Sequence, residues 1–70
     1  MAVNYAYNYA WVPDLSTGLC LDVRTTTLES TDPSFIPIPV YDPEYLLKYY
    51  INGNWYEDAA GTIPWTSSLL

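Results

Sequence analysis

Large aromatic side chains alternate with small or polar residues near the amino terminus of this chain. The aromatic positions are Tyr5, Tyr7, Tyr9 and Trp11, with one small or polar residue between each pair. Residues two apart in a β-strand point to the same face of a sheet, so a strand would carry every large ring on one side. A helix would spread the same rings around its axis. The pattern therefore predicts a strand over about residues 2–12 with one aromatic face.

The length and composition predict one small domain, residues 1–70, with a thin core. A chain of this size buries only about 60% of the surface that it exposes when unfolded. Tyrosine, which occurs eight times, combines a large apolar ring with a hydroxyl that needs a partner or water. Aromatic residues are also enriched at the energetic centres of protein interfaces. The tyrosines therefore fit either a half-buried sheet face or a contact surface, and the whole set favours contact.

The charge balance excludes two classes of partner. Eight carboxylates face one arginine and one lysine, histidine is absent, and the net charge is −6. Nucleic-acid phosphates and anionic membranes both require several basic residues on one surface, so neither is expected as a direct partner. The carboxylates are scattered, which is typical of a solubilising surface. A basic protein surface remains a possible partner, and so does imitation of a polyanion.

The single cysteine and the amino terminus indicate synthesis in a cytosol. Cys20 has no partner for an internal disulfide, and its apolar neighbours predict a buried structural thiol. The segment from Met1 to Tyr5 lacks the basic and apolar regions of a secretory signal. No stretch approaches the roughly 18 apolar residues of a membrane span.

A second alternating run predicts a strand over residues 19–27. It places Leu21 and Val23 on one face and Asp22 and Arg24 on the other. We expect this strand to pair with the first as a hairpin. The aromatic face and the leucine–valine face would then lie on the same side of the sheet, with Asp22 and Arg24 pointing outward.

Proline alternates with apolar residues in the segment 35–41, which contains Phe35, Ile36 and Ile38. Because proline cannot donate a hydrogen bond to a strand ladder, a central strand is excluded. The segment is predicted to be an extended arm or an edge strand. It would cover apolar surface of its own domain or of a neighbouring subunit.

The segment 45–58 fits two structures. A hairpin with strands at 45–51 and 54–58 would turn at Asn52-Gly53, the preferred pair for a type I′ turn. Its register would align three cross-strand pairs: Tyr50 with Trp55, Tyr49 with Tyr56, and Lys48 with Glu57. A helix would instead begin with Asp42 as N-cap and Pro43 at its first position, and would end before Gly53. We favour the hairpin, because the helix gives Tyr45 and Tyr49 no clear role.

These elements predict a mainly β fold, a small antiparallel sheet of two hairpins with a proline-rich arm and an apolar tail at residues 59–70. The tail residues Trp65, Leu69 and Leu70 either pack on the core or bind a partner. The candidate interaction residues are Tyr5, Tyr7, Tyr9, Trp11, Phe35, Ile36, Ile38, Tyr50, Trp55, Trp65, Leu69 and Leu70.

The sequence contains no catalytic signature, so we expect no enzyme, no cofactor and no metal site. The absence of histidine excludes Ser-His-Asp and Cys-His arrangements, and the three glycines lie too far apart for a phosphate-binding loop. The close carboxylate pairs, Asp42 with Glu44 and Glu57 with Asp58, lack the spacing of a calcium loop. A glycosidase would also need a cleft that this chain can hardly enclose.

The segment Leu47–Asp58, followed by Gly61-Thr62-Ile63-Pro64-Trp65, resembles hairpins of small bacteriophage virion proteins. The resemblance lies mainly within residues 47–65, and its core is an aromatic strand, Asn-Gly and a second aromatic strand. It implies a structural or accessory protein of a phage head or tail. Such a protein would bind other virion subunits or itself in a multi-copy assembly, and would be located in the virion after synthesis in the host cytoplasm.

Two other functions fit the composition. An acidic phage-encoded inhibitor, comparable to anti-CRISPR proteins, would mimic a polyanion and occupy a basic groove of a host nucleic-acid enzyme. A carbohydrate-binding module of a tail fibre would stack Trp11, Trp55 or Trp65 on sugar rings.

Overall fold

The computed structural model describes residues 7–70, which fold into two small antiparallel sheets. The first five residues of the predicted first strand, including Tyr5, lie outside the described residues. The elements are β1 (Tyr7–Trp11), β2 (Asp22–Thr26), β3 (Phe35–Pro37), a 3-10 turn (Pro43–Tyr45), β4 (Tyr49–Ile51) and β5 (Asn54–Tyr56). One sheet has the order β2-β1-β3 and the other pairs β4 with β5. The prediction of a mainly β fold with small antiparallel sheets is confirmed.

The register of β1 against β2 reverses the predicted arrangement of faces. Tyr9 lies opposite Arg24, and Ala10 lies opposite Val23. Residues directly opposite each other share a face of the sheet, so the tyrosines lie with Arg24 and away from Val23. The prediction that the aromatic and leucine–valine faces coincide is therefore wrong. A shift of one residue in register exchanges the two faces of a strand, and the loop between β1 and β2 sets that register.

The predicted strand over residues 19–27 is too long at its start, because its first residues pair with the other sheet. The Tyr50 amide donates to the Gly18 carbonyl at 2.7 Å, and the Cys20 amide donates to the Lys48 carbonyl at 2.9 Å. Gly18 has a φ of +78°, and a Cβ at this position would lie 2.3 Å from the Tyr50 carbonyl oxygen. Glycine is therefore required where the two sheets meet.

Part of the proline-rich segment is an edge strand. Phe35–Pro37 forms β3, which pairs with β1 through Trp11 opposite Phe35 and Tyr9 opposite Pro37. The ladder continues one residue further, because the Ile38 amide donates to the Asn8 carbonyl at 3.0 Å. Proline is tolerated here because an edge strand needs donors on one side only.

The second hairpin has the predicted turn and aromatic register. Asn52 and Gly53 have φ values of 51° and 82°, as a type I′ turn requires. Tyr50 lies opposite Trp55, and Tyr49 lies opposite Tyr56, as expected. The expected pair between Lys48 and Glu57 is wrong, because the ladder ends with Tyr49 opposite Tyr56 and the Glu57 amide donates to the Ile63 carbonyl at 2.9 Å. The Lys48 ammonium lies instead over the Trp65 ring, 4.9 Å from its centroid.

The residues predicted to start a helix before this hairpin do so, but the helix is a single 3-10 turn. The Asp42 carboxylate accepts from the Glu44 amide at 2.9 Å, and Pro43 occupies the first helical position. The turn cannot continue, because Leu47 has a φ of 68° and the strand begins at Tyr49. The prediction of a strand from residue 45 is therefore wrong in its first four residues.

The core lies between the Ala10 face of the first sheet and the second hairpin. Its buried members are Ala10, Val12, Cys20, Ile38 and Tyr45. Larger half-buried side chains pack against this cluster: Val23, Ile36, Tyr50, Trp55 and Trp65. Cys20 is free and fully buried, as predicted, and burial raises the pKa of its thiol.

Candidate interaction surface

The outer face of the first sheet carries a group of aromatic side chains around one arginine. We call this group the aromatic face; it comprises Tyr7, Tyr9, Trp11, Arg24 and Phe35. The strand registers place all five on the side of the sheet opposite Ala10 and Val23. The aromatic alternation of β1 therefore builds a surface layer, while Ala10, between Tyr9 and Trp11, faces the core.

Contacts around Phe35 hold three of these rings in fixed orientations. Trp11 stacks on Phe35 with a centroid distance of 6.5 Å and an interplanar angle of 28°. Tyr9 meets Phe35 edge to face at 6.0 Å. The Arg24 guanidinium carbon lies 5.0 Å from the Phe35 centroid, within the range of a cation–π interaction. The Arg24 guanidinium also pairs with the Asp22 carboxylate at 2.7 Å, which limits the positions that it can adopt.

The aromatic face is partly open to solvent. Tyr9 is only 3% exposed, and its hydroxyl accepts a hydrogen bond from the Ser30 amide at 2.8 Å. Tyr7, Trp11 and Phe35 are half-buried, and Arg24 is exposed. A partner would therefore touch three rings and a guanidinium, with Tyr9 as a fixed support beneath them. Sequence reasoning missed Arg24, because nothing in the sequence reveals the register that brings it to this face.

The remaining predicted interaction residues lie elsewhere. Ile36 lies opposite Ala10 on the core side of the sheet, and Ile38 is 6% exposed in the core. Tyr50, Trp55 and Trp65 pack against the core from the second hairpin and the tail. These five side chains therefore serve the protein's own packing, wholly or in part. Leu69 and Leu70 are 58% and 66% exposed.

The tail is attached to the second sheet rather than extended from it. Pro64 lies opposite Tyr56 in an isolated bridge, and the Trp65 amide donates to the Trp55 carbonyl at 3.0 Å. Further along, the Ser67 hydroxyl donates to the buried Asp42 carboxylate. These bonds fix residues 64–67 and leave the leucines at the end of the chain outside the core.

Three of the five aspartates stabilise loops through hydrogen bonds with nearby residues. The Asp14, Asp32 and Asp58 carboxylates each accept hydrogen bonds from residues that follow in the same loop, chiefly Ser16, Ser34 and Thr62. These bonds lower the pKa of all three carboxyl groups. An Asp-x-Ser spacing marks the turns at Asp14 and Asp32 in the sequence, whereas the partners of Asp58, Thr62 and Ile63, lie four and five residues further on.

Asp42 is the aspartate most withdrawn from solvent. It is 3% exposed, and its two carboxylate oxygens accept from the Glu44 amide and the Ser67 hydroxyl. Burial of the neighbouring Tyr45 ring raises the pKa of the Tyr45 hydroxyl, and the charge of Asp42 raises it further. The position of Asp42 makes it a structural group that cannot present its charge to a partner surface.

Neither metal-binding clusters nor membrane-spanning helices occur in the part of the chain that the structure describes. Residues 7–70 contain no group of three or more His, Cys, Asp or Glu side chains placed to hold a metal ion. No helix within the same residues is long and apolar enough to cross a membrane. Comparisons with protein-family models, curated proteins and solved structures found no significant match to this chain.

Proposed function

We propose that this chain is a non-enzymatic structural or accessory protein of a bacteriophage particle, acting through protein contacts in a multi-copy assembly. The observation that carries the proposal is the aromatic face. Its three half-buried rings and exposed guanidinium form one contiguous group on a sheet. Trp, Tyr and Arg are the residue types that dominate binding energy at protein interfaces.

The fixed geometry of the aromatic face supports a binding role. Phe35 contacts Trp11, Tyr9 and Arg24 at once, so its ring is held from several directions. A surface whose side chains are already ordered loses less conformational entropy when it binds, and that loss is one of the main costs of association. The partner surface is expected to offer an apolar recess for Trp11 and a polar group for Arg24.

The thin core gives assembly a second physical purpose. Only six hydrophobic side chains of the described residues are buried, two of them tyrosines, and the aromatic residues packed against the core cluster are half-buried. A domain with so little fully buried side-chain volume is expected to be marginally stable alone. Binding that occurs only in the folded state would raise its stability by mass action.

The resemblance of residues 47–65 to hairpins of phage virion proteins supplies the proposed context. We infer a virion location after synthesis in the host cytoplasm, with other virion subunits or further copies of this chain as partners. The inhibitor function has less support. A polyanion mimic presents its carboxylates to a basic groove, whereas the Asp42 carboxylate is buried and accepts a hydrogen bond from Ser67 within the fold.

Sedimentation velocity and thermal melting of the isolated chain test this proposal. We expect concentration-dependent association, or a monomer with a low, broad melting transition, and we expect mass spectrometry to detect the chain in purified particles. A stable monomer with a high melting temperature that is absent from particles would contradict the proposal.

A further inference from the structure

A concave pocket of about 260 Å³ lies between the tip of the second hairpin and the tail. It is separate from the aromatic face and shares none of its residues. The side chains that give it chemical character are Tyr45, Trp55, Trp65, Asn54, Thr66 and Leu70. The tail brings these groups together, since residues 64–67 pack beside β5.

The aromatic part of the pocket is held rigidly. Trp55 and Trp65 each meet Tyr45 nearly at right angles, with centroid distances of 5.0 and 4.8 Å and interplanar angles of 73° and 84°. Tyr45 is 3% exposed and lies behind the two indoles, which are half-buried. The indoles therefore offer fixed apolar surface to the pocket without a large change in their own packing.

The polar part of the pocket is uncharged. Asn54 and Thr66 are exposed, and they bring an amide and a hydroxyl to the pocket. The Ser67 hydroxyl is already committed to Asp42. The lining side chains themselves are uncharged. The Lys48 ammonium lies beside them, over the Trp65 ring at 4.9 Å from its centroid, and the net charge of −6 still disfavours an anionic ligand.

We propose that this pocket binds a neutral sugar ring. A pyranose has an apolar face of C–H groups, which fits flat indole surface, and peripheral hydroxyls, which fit uncharged donors and acceptors such as Asn54 and Thr66. A purely apolar ligand would leave this amide and this hydroxyl without partners. The volume suits one or two rings, since pockets for drug-sized molecules start at about 300 Å³.

The proposal does not depend on the assembly function, because the pocket and the aromatic face can be tested separately. Saturation-transfer difference NMR on the full chain is a suitable measurement, with cellotriose, maltotriose and triacetylchitotriose as neutral probes. A trimer of galacturonic acid serves as the charged probe. The pocket variant is Asn54→Ala with Thr66→Ala, which removes two exposed polar groups and spares the core. The matched controls are Thr27→Ala, an exposed threonine elsewhere, and Trp11→Phe on the aromatic face.

We expect at least one neutral trisaccharide to bind with a Kd of about 1–10 mM, a binding free energy of roughly −3 to −4 kcal/mol. The pocket variant should weaken binding about tenfold, the two controls should bind like the wild type, and the charged trimer should bind more weakly. Absence of saturation transfer from all three neutral probes would overturn the proposal. Binding that survives in the pocket variant, or a charged trimer that binds as well as the neutral ones, would also overturn it.

Discussion

Tyr9 on β1 lies directly opposite Arg24 on β2, so the aromatic alternation of the first strand shares its face with the chain's one arginine. Ala10, between the large rings, faces the core instead. The core is completed by Tyr45 and by rings of the second hairpin and the tail. The protein thus has two aromatic groups on opposite sides of its first sheet, one for packing and one partly open to solvent.

The junction of the two sheets depends on Gly18. We expect Gly18→Ala to lower the free energy of unfolding by at least about 2 kcal/mol, because the new methyl group would collide with the Tyr50 carbonyl and φ is positive. Urea denaturation measures the change. Gly53→Ala is the matched control, since its φ is +82° but no atom lies within 4 Å, and it should cost only about 1 kcal/mol. Equal losses in the two variants would show that the close approach at Gly18 is unimportant.

The hydrogen bond between Ser67 and Asp42 connects the tail to the 3-10 turn. Ser67→Ala removes a partner of a buried carboxylate, and we expect a loss of about 1–3 kcal/mol in the free energy of unfolding. Ser34→Ala removes a hydroxyl that donates to the exposed Asp32 carboxylate, which water can replace, so its effect should be about 0.5 kcal/mol or less. Chemical denaturation measures the free energy of unfolding of both variants. A Ser67 variant as stable as the Ser34 variant would contradict a structural role for the buried bond.

Acid should destabilise the protein through its aspartate turns. Hydrogen bonds lower the pKa of Asp14, Asp32 and Asp58 in the folded state, so their contribution is present above the unfolded value of about 3.9 and is lost as the pH falls through the folded values. We expect the free energy of unfolding to be steady from about pH 7 to pH 5 and to fall below about pH 4. Denaturation curves across this range measure the decline. Asp58→Asn should make the decline shallower, and Glu29→Gln, an exposed position, should leave it unchanged. If stability declined equally steeply in the Asp58→Asn variant, the hydrogen bonds of the Asp58 carboxylate would not be a cause of the acid sensitivity.

The Cys20 thiol should be unreactive in the folded protein. It is fully buried, and burial raises its pKa, so both access and thiolate formation are restricted. We expect its reaction with a disulfide reagent at pH 8 to be at least about a hundredfold slower than in urea, at a rate set by opening of the structure. A rapid reaction in the absence of denaturant would show that the junction around residues 18–20 opens readily.

Local signals in the sequence were sufficient for the second hairpin. Asn52-Gly53 specifies a two-residue turn with positive φ at both positions, and this turn fixes Tyr50 opposite Trp55. Asp42 and Pro43 likewise mark a helical start, which the structure contains as one turn. Each of these features depends on residues close together in the chain.

Features that depend on distant residues could not be predicted. The loop between β1 and β2 spans residues 12–21, and no turn signal within it determines whether Tyr9 meets Val23 or Arg24. The hydrogen bond from the Tyr50 amide to the Gly18 carbonyl could not be predicted for the same reason, because it joins segments about thirty residues apart. The composition of the aromatic face, with Arg24 included, therefore emerged only from the structure.

The most direct test of the central claim is the amount of this chain in purified phage particles when the aromatic face is altered. Trp11→Ser removes the largest half-buried ring of that face, Trp11→Phe preserves an aromatic contact, and Leu28→Ser changes a residue that is 79% exposed on a loop. Circular dichroism first establishes that all three variants remain folded, and quantitative mass spectrometry then measures their copy number relative to the wild type. We predict that Trp11→Ser reduces the copy number at least about tenfold, the loss expected from roughly 1.4 kcal/mol of contact energy, while the other two variants are incorporated normally. Incorporation of folded Trp11→Ser at the wild-type level would contradict the claim that the aromatic face mediates assembly.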